Sequence, residues 1–257
     1  MNRARTAPNL DDIRREIDAV DAELLSLLEQ RFAAIEKIRL AKEQAGEDQG
    51  SPMRPGREAI VLRRLDGLRR GHLPQALMVR LWRSIMSAAT TAQARTMVHI
   101  SPAVMSDPRL VSCVAEQFPG LSLHVADEAA IAAAVAGTRC DIAVVPRDGS
   151  WMERFVDGAY GEAKVIGCLP LLSPRDTAPD LLVFGHARAE KTGEDRTIAV
   201  MRGSVELASS LTALWSQRRG DCAAVCLAGF LEPDAPTLAG LPVRIAGYYP
   251  SPLQPGN

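Results

Sequence analysis

The sequence predicts a chain in two parts, α + α/β: an all-helical N-terminal segment followed by an α/β region. From Leu10 to about Gln44, apolar residues recur every three or four positions, which is typical of one long amphipathic helix. From about residue 96 onward, short apolar runs typical of strands alternate with helical segments. The first helix exceeds the roughly 8–20 residues usual in globular proteins, so we expect a partner along its length.

Three helices account for the N-terminal segment. Asn9 or Asp11 is suited to cap the first of them, and acidic residues follow in its first turn. Glycine and proline then interrupt the helical pattern at 45–56. A shorter helix is expected from about 57 to 70, and a third from about 75 to 94.

Strands and helices alternate in the remainder of the chain. Strands are predicted at 96–101, 121–126, 140–146 and 164–172, and helices at 107–118 and 128–137. After a linker at 173–180, strands are predicted at 181–187, 196–201, 221–228 and 241–249, with a helix at 204–217. We therefore expect three domains: 1–95, 96–180 and 181–257.

Composition excludes several classes of function. A formal net charge of −1 and an aromatic content of 4% argue against a nucleic-acid-binding surface. The five cysteines are dispersed, which is typical of reduced thiols in a cytoplasmic protein, and the four histidines are too scattered to predict a metal site. No apolar run approaches the ~20 residues of a membrane span, and the N-terminus does not resemble a secretory signal.

Three cations on the first helix suggest a shared binding site. Arg31 and Lys42 are 11 positions apart, so they lie on nearly one face and about 16 Å apart along the axis. Arg14 lies about 25 Å from Arg31 along the same helix and on another face. Because Arg14 reaches such a site only from a second, antiparallel copy, the spacing suggests a dimer whose pockets bind a small polyanion.

The first 95 residues resemble the all-helical class of chorismate mutases. The resemblance rests on LDDIRREIDAVDAELLSLLEQR, AKEQ, PMRPGREAIVLRRL and MSAATTAQ, and on the order of long, short and long helices. It implies an intertwined all-α homodimer with two active sites, each of which borrows an arginine from the partner subunit. It further implies conversion of chorismate to prephenate in phenylalanine and tyrosine biosynthesis, without cofactor or metal.

The resemblance also assigns roles to the cations of the first helix. Arg14 matches the arginine donated across the dimer, and Arg31 matches one that binds a substrate carboxylate. Lys42 and Gln93 match the pair that hydrogen-bonds the ether oxygen of chorismate. Such donors suit a rearrangement that needs only a compact bound conformation and stabilisation of charge on that oxygen.

Two further residues are assigned to substrate binding, and two positions depart from the family pattern. Arg57 matches another cation of the pocket, and Glu58 matches an acid that accepts a hydrogen bond from the substrate hydroxyl. Arg54 occupies a position that is often acidic in relatives, and Ala89 one that often carries a small hydroxyl. The second departure removes one hydrogen bond to the substrate.

The C-terminal half resembles parts of two other families. EAAIAAAVAGTRCDIAVVPRDGS and AKVIGCLPLL resemble one lobe of prephenate dehydratase, and LPVRIAGYYP resembles the closing strand of an ACT-type regulatory domain. The dehydratase Thr-Arg-Phe motif is replaced by Pro179, Asp180 and Leu181, and the eight residues between Leu172 and Leu181 leave no room for a second lobe. We therefore expect no dehydratase activity.

Two readings of the whole chain stay open. The leading hypothesis is a chorismate mutase, with an aromatic amino acid as candidate effector of the C-terminal region or with that region as a structural remnant. The alternative is a non-catalytic aromatic amino acid sensor or partner-binding dimer that keeps the helical fold. A bifunctional mutase–dehydratase is disfavoured by the missing Thr-Arg-Phe motif.

Overall fold

The structure is a computed structural model, in which the chain divides into two compact units. The units are Met1–Gln49 and Gly50–Asn257, and each is described by itself. The described residues are 9–45, 51, 53–174, 177–203 and 213–256. No helix within these ranges is both long enough and apolar enough to cross a bilayer.

The described part of the first unit is one helix, α1 (Leu10–Ala45). Asn9 is its N-cap, because its main-chain oxygen accepts from the amides of Asp12 and Ile13 and its Oδ1 accepts from the amide of Asp11 at 3.3 Å. The predicted long helix and its cap are therefore confirmed. Most of the large apolar side chains of α1 are exposed, and Ile35 is half-buried. The exposed ones are Leu10, Ile13, Ile17, Val20, Leu24, Leu25, Leu27, Leu28, Phe32, Ile38 and Leu40.

Two helices, α2 (Pro55–Leu68) and α3 (Gln75–Gln93), begin the second unit. Proline at the first position of α2 fits a place where no backbone donor is needed. The facing sides of the two helices form an apolar cluster with the segment that follows the fourth strand and with the C-terminal tail. Its members are Leu62, Met78, Val79, Met86 and Leu253, with Val61, Leu65, Trp82, Leu171 and Leu172 packed around them.

Polar side chains fix this helix pair to the end of the chain. Arg63 Nη1 donates to Thr192 Oγ1 at 2.9 Å, and its Nη2 donates to the main-chain oxygens of Glu194 and Ser251 at 2.9 and 3.0 Å. Burial lowers the pKa of the Arg63 guanidinium from its usual value, although Glu194 and Asp195 oppose the shift. The helix pair and the α/β region therefore form one folded unit.

One mixed sheet dominates the second unit. Its strands and the helices between them are, in chain order, β1 (Met97–Ile100), α4 (Pro102–Ser106), α5 (Pro108–Gln117), β2 (Ser122–Val125), α6 (Glu128–Gly137), β3 (Ile142–Pro146), α7 (Trp151–Val156), β4 (Lys164–Leu169), β5 (Leu181–Gly185), β6 (Asp195–Arg202), β7 (Ala213–Arg219), β8 (Cys222–Ala228) and β9 (Arg244–Pro250). The strand order is β2-β1-β3-β5-β4-β9-β6-β8-β7.

The first three strands form a parallel, doubly wound layer. β1 pairs in parallel with β2 on one side and β3 on the other. Val104 of α4 and Val114 of α5 pack with Ile142 and Val144 on one face of the sheet. Ile131, Ala132 and Val135 of α6 pack with Ala143 and Val145 on the opposite face. The buried residues of β3 therefore alternate between two faces of the sheet that are both covered by helices, as expected for a parallel layer.

The remaining strands are mainly antiparallel and join both predicted C-terminal domains into one sheet. β5 lies between β3 and β4 and is antiparallel to both. β4 contacts β9 in parallel, and β9, β6, β8 and β7 continue the sheet in antiparallel pairs. The sheet thus crosses the boundary expected at 180, while the division into domains 1–95, 96–180 and 181–257 stays a prediction.

The predicted helix at 204–217 is wrong over its last five residues. Residues 204–212 lie outside the described ranges, and residues 213–217 belong to strand β7. β7 pairs with β8 through a hairpin in which Arg219 is opposite Cys222 and Gly220 has a φ of +56°. Gly220-Asp221 is a two-residue hairpin signal that outweighs the helical spacing upstream of it. Two short helices, α4 and α7, were not predicted.

Gly247 gives a direct test of the sheet register. It lies opposite Val165 in the β4–β9 pair, where a Cβ would come within 2.1 Å of the Val165 carbonyl oxygen. We expect Gly247→Ala to lower the free energy of unfolding by about 2–3 kcal/mol, because backbone rather than a flexible side chain must move. Urea unfolding followed by circular dichroism measures the change.

Gly67→Ala is the matched control. Gly67 lies in α2, where a Cβ would have no described atom within 4 Å apart from the backbone of its own helix. Alanine is expected to stabilise there by about 0.5–1 kcal/mol, because it suits a helix better than glycine. A Gly247→Ala protein as stable as the wild type would contradict the close approach of β9 to β4.

Candidate active site

Arg14 and Arg31 have different surroundings on α1. Arg14 is 66% exposed at its side chain and pairs with Asp11 at 3.2 Å, three residues earlier on the helix. Such an exposed pair contributes little stability and leaves the guanidinium available. Lys42 lies on α1 between them and the C-terminal end of the helix, and its side chain is outside what the structure describes.

Arg31 carries a buried donor without an acceptor. Its Nη1 is shielded from solvent and has no hydrogen-bond partner among the described residues. Burial lowers the pKa of the Arg31 guanidinium from its usual value. A shielded guanidinium donor is costly to leave unpaired, so this atom is suited to receive an anionic oxygen.

Arg57 and Glu58 lie in the first turn of α2. Arg57 is exposed, whereas the Glu58 side chain is only 12% exposed. Glu58 Oε2 accepts a hydrogen bond from Nη1 of Arg83, and its position in the first turn also suits the positive end of the helix dipole. A predicted substrate acceptor is therefore held in place by an ion pair that the sequence did not indicate.

Gln93 is the last residue of α3 and is exposed. Its Nε2 donates to the main-chain oxygen of Ala89 at 3.0 Å, so the amide is bonded to its own helix. Ala89 is buried, at 8% exposure, and offers no hydroxyl. Arg54, the other departure, pairs with Glu190 at the N-terminal end of α2.

Arg83, the ion-pair partner of Glu58, is a residue that sequence reasoning missed. It is 3% exposed and lies on the packed face of α3 with Val79, Met86 and Thr90, which are spaced four, three and four residues apart. A charged residue on a buried stripe requires a partner, since arginine is almost never fully buried alone. That interruption of the apolar pattern was the available signal.

The structure thus places the predicted site residues on two sets of elements. Those on α1 are Arg14, Arg31 and Lys42, and those on the α2–α3 pair are Arg57, Glu58 and Gln93. Because the two sets fall in different units, each is described separately. The roles given to these residues stay predictions.

The segment at the position of the missing Thr-Arg-Phe motif makes backbone contacts. Pro179 O accepts from Arg147 Nε at 2.9 Å, and Asp180 O accepts from the Arg147 amide at 3.0 Å. The Asp180 carboxylate pairs with Arg109 at 3.2 Å. These contacts join the ends of β3 and β5, so the residues present here act in the packing of the strands.

A second polar cluster lies on β1 and β2. His99 Nε2 lies 2.8 Å from Asp141 Oδ2, and His99 Nδ1 lies 3.2 Å from Nδ1 of His124 on the neighbouring strand. The three side chains form a linear series rather than converging on one point. Within the described ranges, no group of three or more histidine, cysteine or carboxylate side chains is arranged to hold a metal ion.

Comparison with known proteins identifies the helical segment. Residues 13–94 match the family described as chorismate mutase type II. A bifunctional chorismate mutase/prephenate dehydratase of Neisseria gonorrhoeae is 40% identical over 74 residues, which are 29% of this chain and 19% of that protein. Its counterpart in Pseudomonas aeruginosa is 31% identical over an alignment of 117 residues. The match covers 38% of this chain and 32% of that protein. The chain therefore spans a third or less of these curated relatives.

Solved structures show only distant similarity. GqqA, described as a novel type of quorum quenching acylase, has a TM-score of 0.40 at 15% identity and covers 60% of this chain and 95% of its own. Prephenate dehydratase from Streptococcus mutans has a TM-score of 0.39 at 10% identity. The match covers 61% of this chain and 97% of that chain. The match to chorismate mutase type II thus covers residues 13–94, which contain most of α1 and all of α2 and α3.

Proposed function

We propose that this chain is a chorismate mutase, which rearranges chorismate to prephenate without a cofactor in phenylalanine and tyrosine biosynthesis. The observation that carries the proposal is the family match over 13–94, a stretch that contains all six polar residues assigned to the site. The dispersed free cysteines suit a cytoplasmic enzyme.

The chemistry of the reaction suits these residue types. The [3,3] rearrangement breaks a C–O bond and forms a C–C bond within one molecule, so no nucleophile is required. The enzyme holds a dianion in a compact geometry, and arginines such as Arg14 and Arg31 bind carboxylates through paired donors. Lys42 and Gln93 stabilise the negative charge that develops on the ether oxygen.

The surroundings of Arg31 and Gln93 support this assignment. The unpaired Nη1 of Arg31 needs an anionic acceptor, which a substrate carboxylate supplies. The Gln93 amide donates one of its two N–H groups to Ala89 O, which leaves the other to donate to the ether oxygen. Glu58 remains the acceptor for the substrate hydroxyl.

A second copy of the chain is the proposed partner of α1. Large apolar side chains along this helix are exposed, among them Ile17 at 55%, Leu24 at 53% and Ile38 at 58%. A continuous apolar face of this length on a soluble protein indicates an association surface. Since Arg14 reaches the Arg31 site only from an antiparallel copy, a homodimer covers the face and completes the site together.

Turnover of chorismate by the full-length protein tests the proposal. Loss of chorismate is followed by ultraviolet absorbance, and prephenate is identified after acid conversion. Saturable turnover supports a mutase. No turnover by a folded dimer, together with a rise in melting temperature on adding phenylalanine, would instead favour the aromatic amino acid sensor.

Lys42→Ala tests the role of the lysine. We expect kcat/KM to fall about 10²-fold or more, because the variant loses a donor to the charge that develops in the transition state. Lys37→Ala is the matched control, since Lys37 is an exposed lysine on the same helix with no assigned role. Equal activities of the two variants would contradict the assignment of Lys42.

Mixed dimers test whether each site draws on both subunits. Mixing Arg14→Ala with Lys42→Ala subunits gives hybrids in which one site carries both substitutions and the other carries none. Random exchange should therefore recover roughly a quarter of wild-type activity. Arg31→Ala mixed with Lys42→Ala is the control, because both residues are assigned to one subunit and no intact site can form. Equal recovery in both mixtures would refute sharing across the interface.

The α/β region is proposed to lack dehydratase activity. Pro179, Asp180 and Leu181 stand where the Thr-Arg-Phe motif is expected, and their main chain joins neighbouring strands. The purified protein given prephenate should release no phenylpyruvate above the buffer blank. Enzyme-dependent release that saturates with prephenate would overturn this part of the proposal.

A further inference from the structure

Arg83 connects the helix pair to the α/β region at one buried point. Its Nε and Nη2 donate to the main-chain oxygen of Gln117, at 3.0 and 2.6 Å. Its Nη1 donates to Glu58 Oε2. The guanidinium is 3% exposed, and all three of its nitrogens bond to acceptors on other elements.

Both acceptors of Arg83 suit a positive charge. Gln117 is the last residue of α5, and the carbonyl oxygens at a helix C-terminus carry partial negative charge without partners in the helix. Glu58 carries a full negative charge and is largely shielded from solvent. A guanidinium between them is compensated on both sides, which explains how a charge is tolerated there.

The ion pair leaves one oxygen of Glu58 available. Oε2 bonds to Arg83, whereas Oε1 has no hydrogen-bond partner in the part of the chain that the structure describes. A glutamate in the first turn of a helix is ordinarily free to change rotamer. With one oxygen fixed by Arg83, the direction of the other oxygen is fixed as well.

We propose that Arg83 is a positioning residue of the mutase site: bound to the end of α5 through Gln117 O, it orients the Glu58 carboxylate toward the substrate hydroxyl. The inference rests on the proposed function and deepens it. It makes the α/β region a structural part of the mutase site, because the carbonyl that holds Arg83 belongs to α5. A small displacement of a substrate-binding group lowers the catalytic rate strongly.

A double-mutant cycle tests the proposal in the full-length protein. The proteins are wild type, Arg83→Met, Glu58→Gln and the double variant, each assayed for chorismate turnover. If Arg83 acts through Glu58, Arg83→Met lowers kcat/KM at least about 10-fold in the wild-type background and less than about threefold in the Glu58→Gln background. Melting temperatures are measured on all four.

Two further variants separate positioning from simple tethering. Arg83→Lys keeps a cation beside Glu58 and should recover part of the activity that Arg83→Met loses. Arg83→Gln, which also removes the charge, replaces Arg83→Met in the cycle if that protein does not fold. Ser87→Ala removes another bond between α3 and the same segment, from Ser87 Oγ to Pro119 O at 2.6 Å, without touching Glu58. Its kcat/KM should stay within about twofold of wild type.

The outcomes distinguish this inference from the proposed function. Equal losses from Arg83→Met in both backgrounds, or a loss in Ser87→Ala as large as in Arg83→Met, would overturn the positioning role while the mutase activity stands. Absence of turnover in the wild type would overturn the proposed function and the inference with it. A non-additive cycle with partial rescue by lysine supports both.

Discussion

The packing of α2 and α3 against the α/β region is the constraint on which the second unit depends. Leu62, Met86 and Leu253 are almost fully buried in the shared cluster. Each such side chain contributes about 1.5–3 kcal/mol relative to an exposed one. Around this apolar contact, Arg63 and Arg83 donate to main-chain oxygens of other elements. Arg83 thereby supplies donors to the Gln117 carbonyl at the end of α5, and Arg63 adds a donor to the Glu194 carbonyl, which also accepts from the Ser251 amide at 2.8 Å.

The first helix depends on a different source of stability. Within the described part of its own unit, this 36-residue helix is stabilised by its backbone bonds and by local ion pairs such as Arg39–Glu36, and most of its large apolar side chains are exposed. Association with a second copy, as proposed, would bury that face, and folding of α1 would then be linked to protein concentration. Activity and dimerisation would rise together, because Arg14 enters the site only in the dimer.

Much of the architecture could be predicted because it depends on local periodicity. The long first helix, the third helix and strands such as β3 and β8 carry strong patterns, and the structure confirms them. β7 could not be predicted in the same way. The residues before it have helical spacing, but pairing with β8 across the Gly220-Asp221 turn determines the conformation of 213–219. Long-range pairing of this kind overrides local propensity.

The sequence suggests residues for the candidate site, and these stay predictions, but it does not show which contacts hold them. Arg31 and Glu58 follow from the family resemblance, but the sequence does not show that Glu58 is paired with Arg83 or that Arg83 bonds to Gln117 O. Those contacts join α3 to α2 and α5. Arg83 is 25 positions from Glu58 and 34 positions from Gln117 in the chain, so only the fold brings them together. The signal in the sequence was a charge on the buried stripe of α3, which says that a partner exists without naming it.

The two supports have a consequence for the C-terminal region. Under the proposed function, the residues of α1 are positioned by the second copy, while Glu58 is positioned by Arg83 and hence by α5. An α/β region without dehydratase chemistry would then still be required for mutase activity, since it supplies the Gln117 carbonyl that holds Arg83. The sheet also holds α5 in place, because α5 packs on β1 and β3 through Val114. The end of the chain packs on α2 and α3 through Leu253. The region therefore acts on the site through packing, and its own pockets need not bind anything for the helices to be held in place.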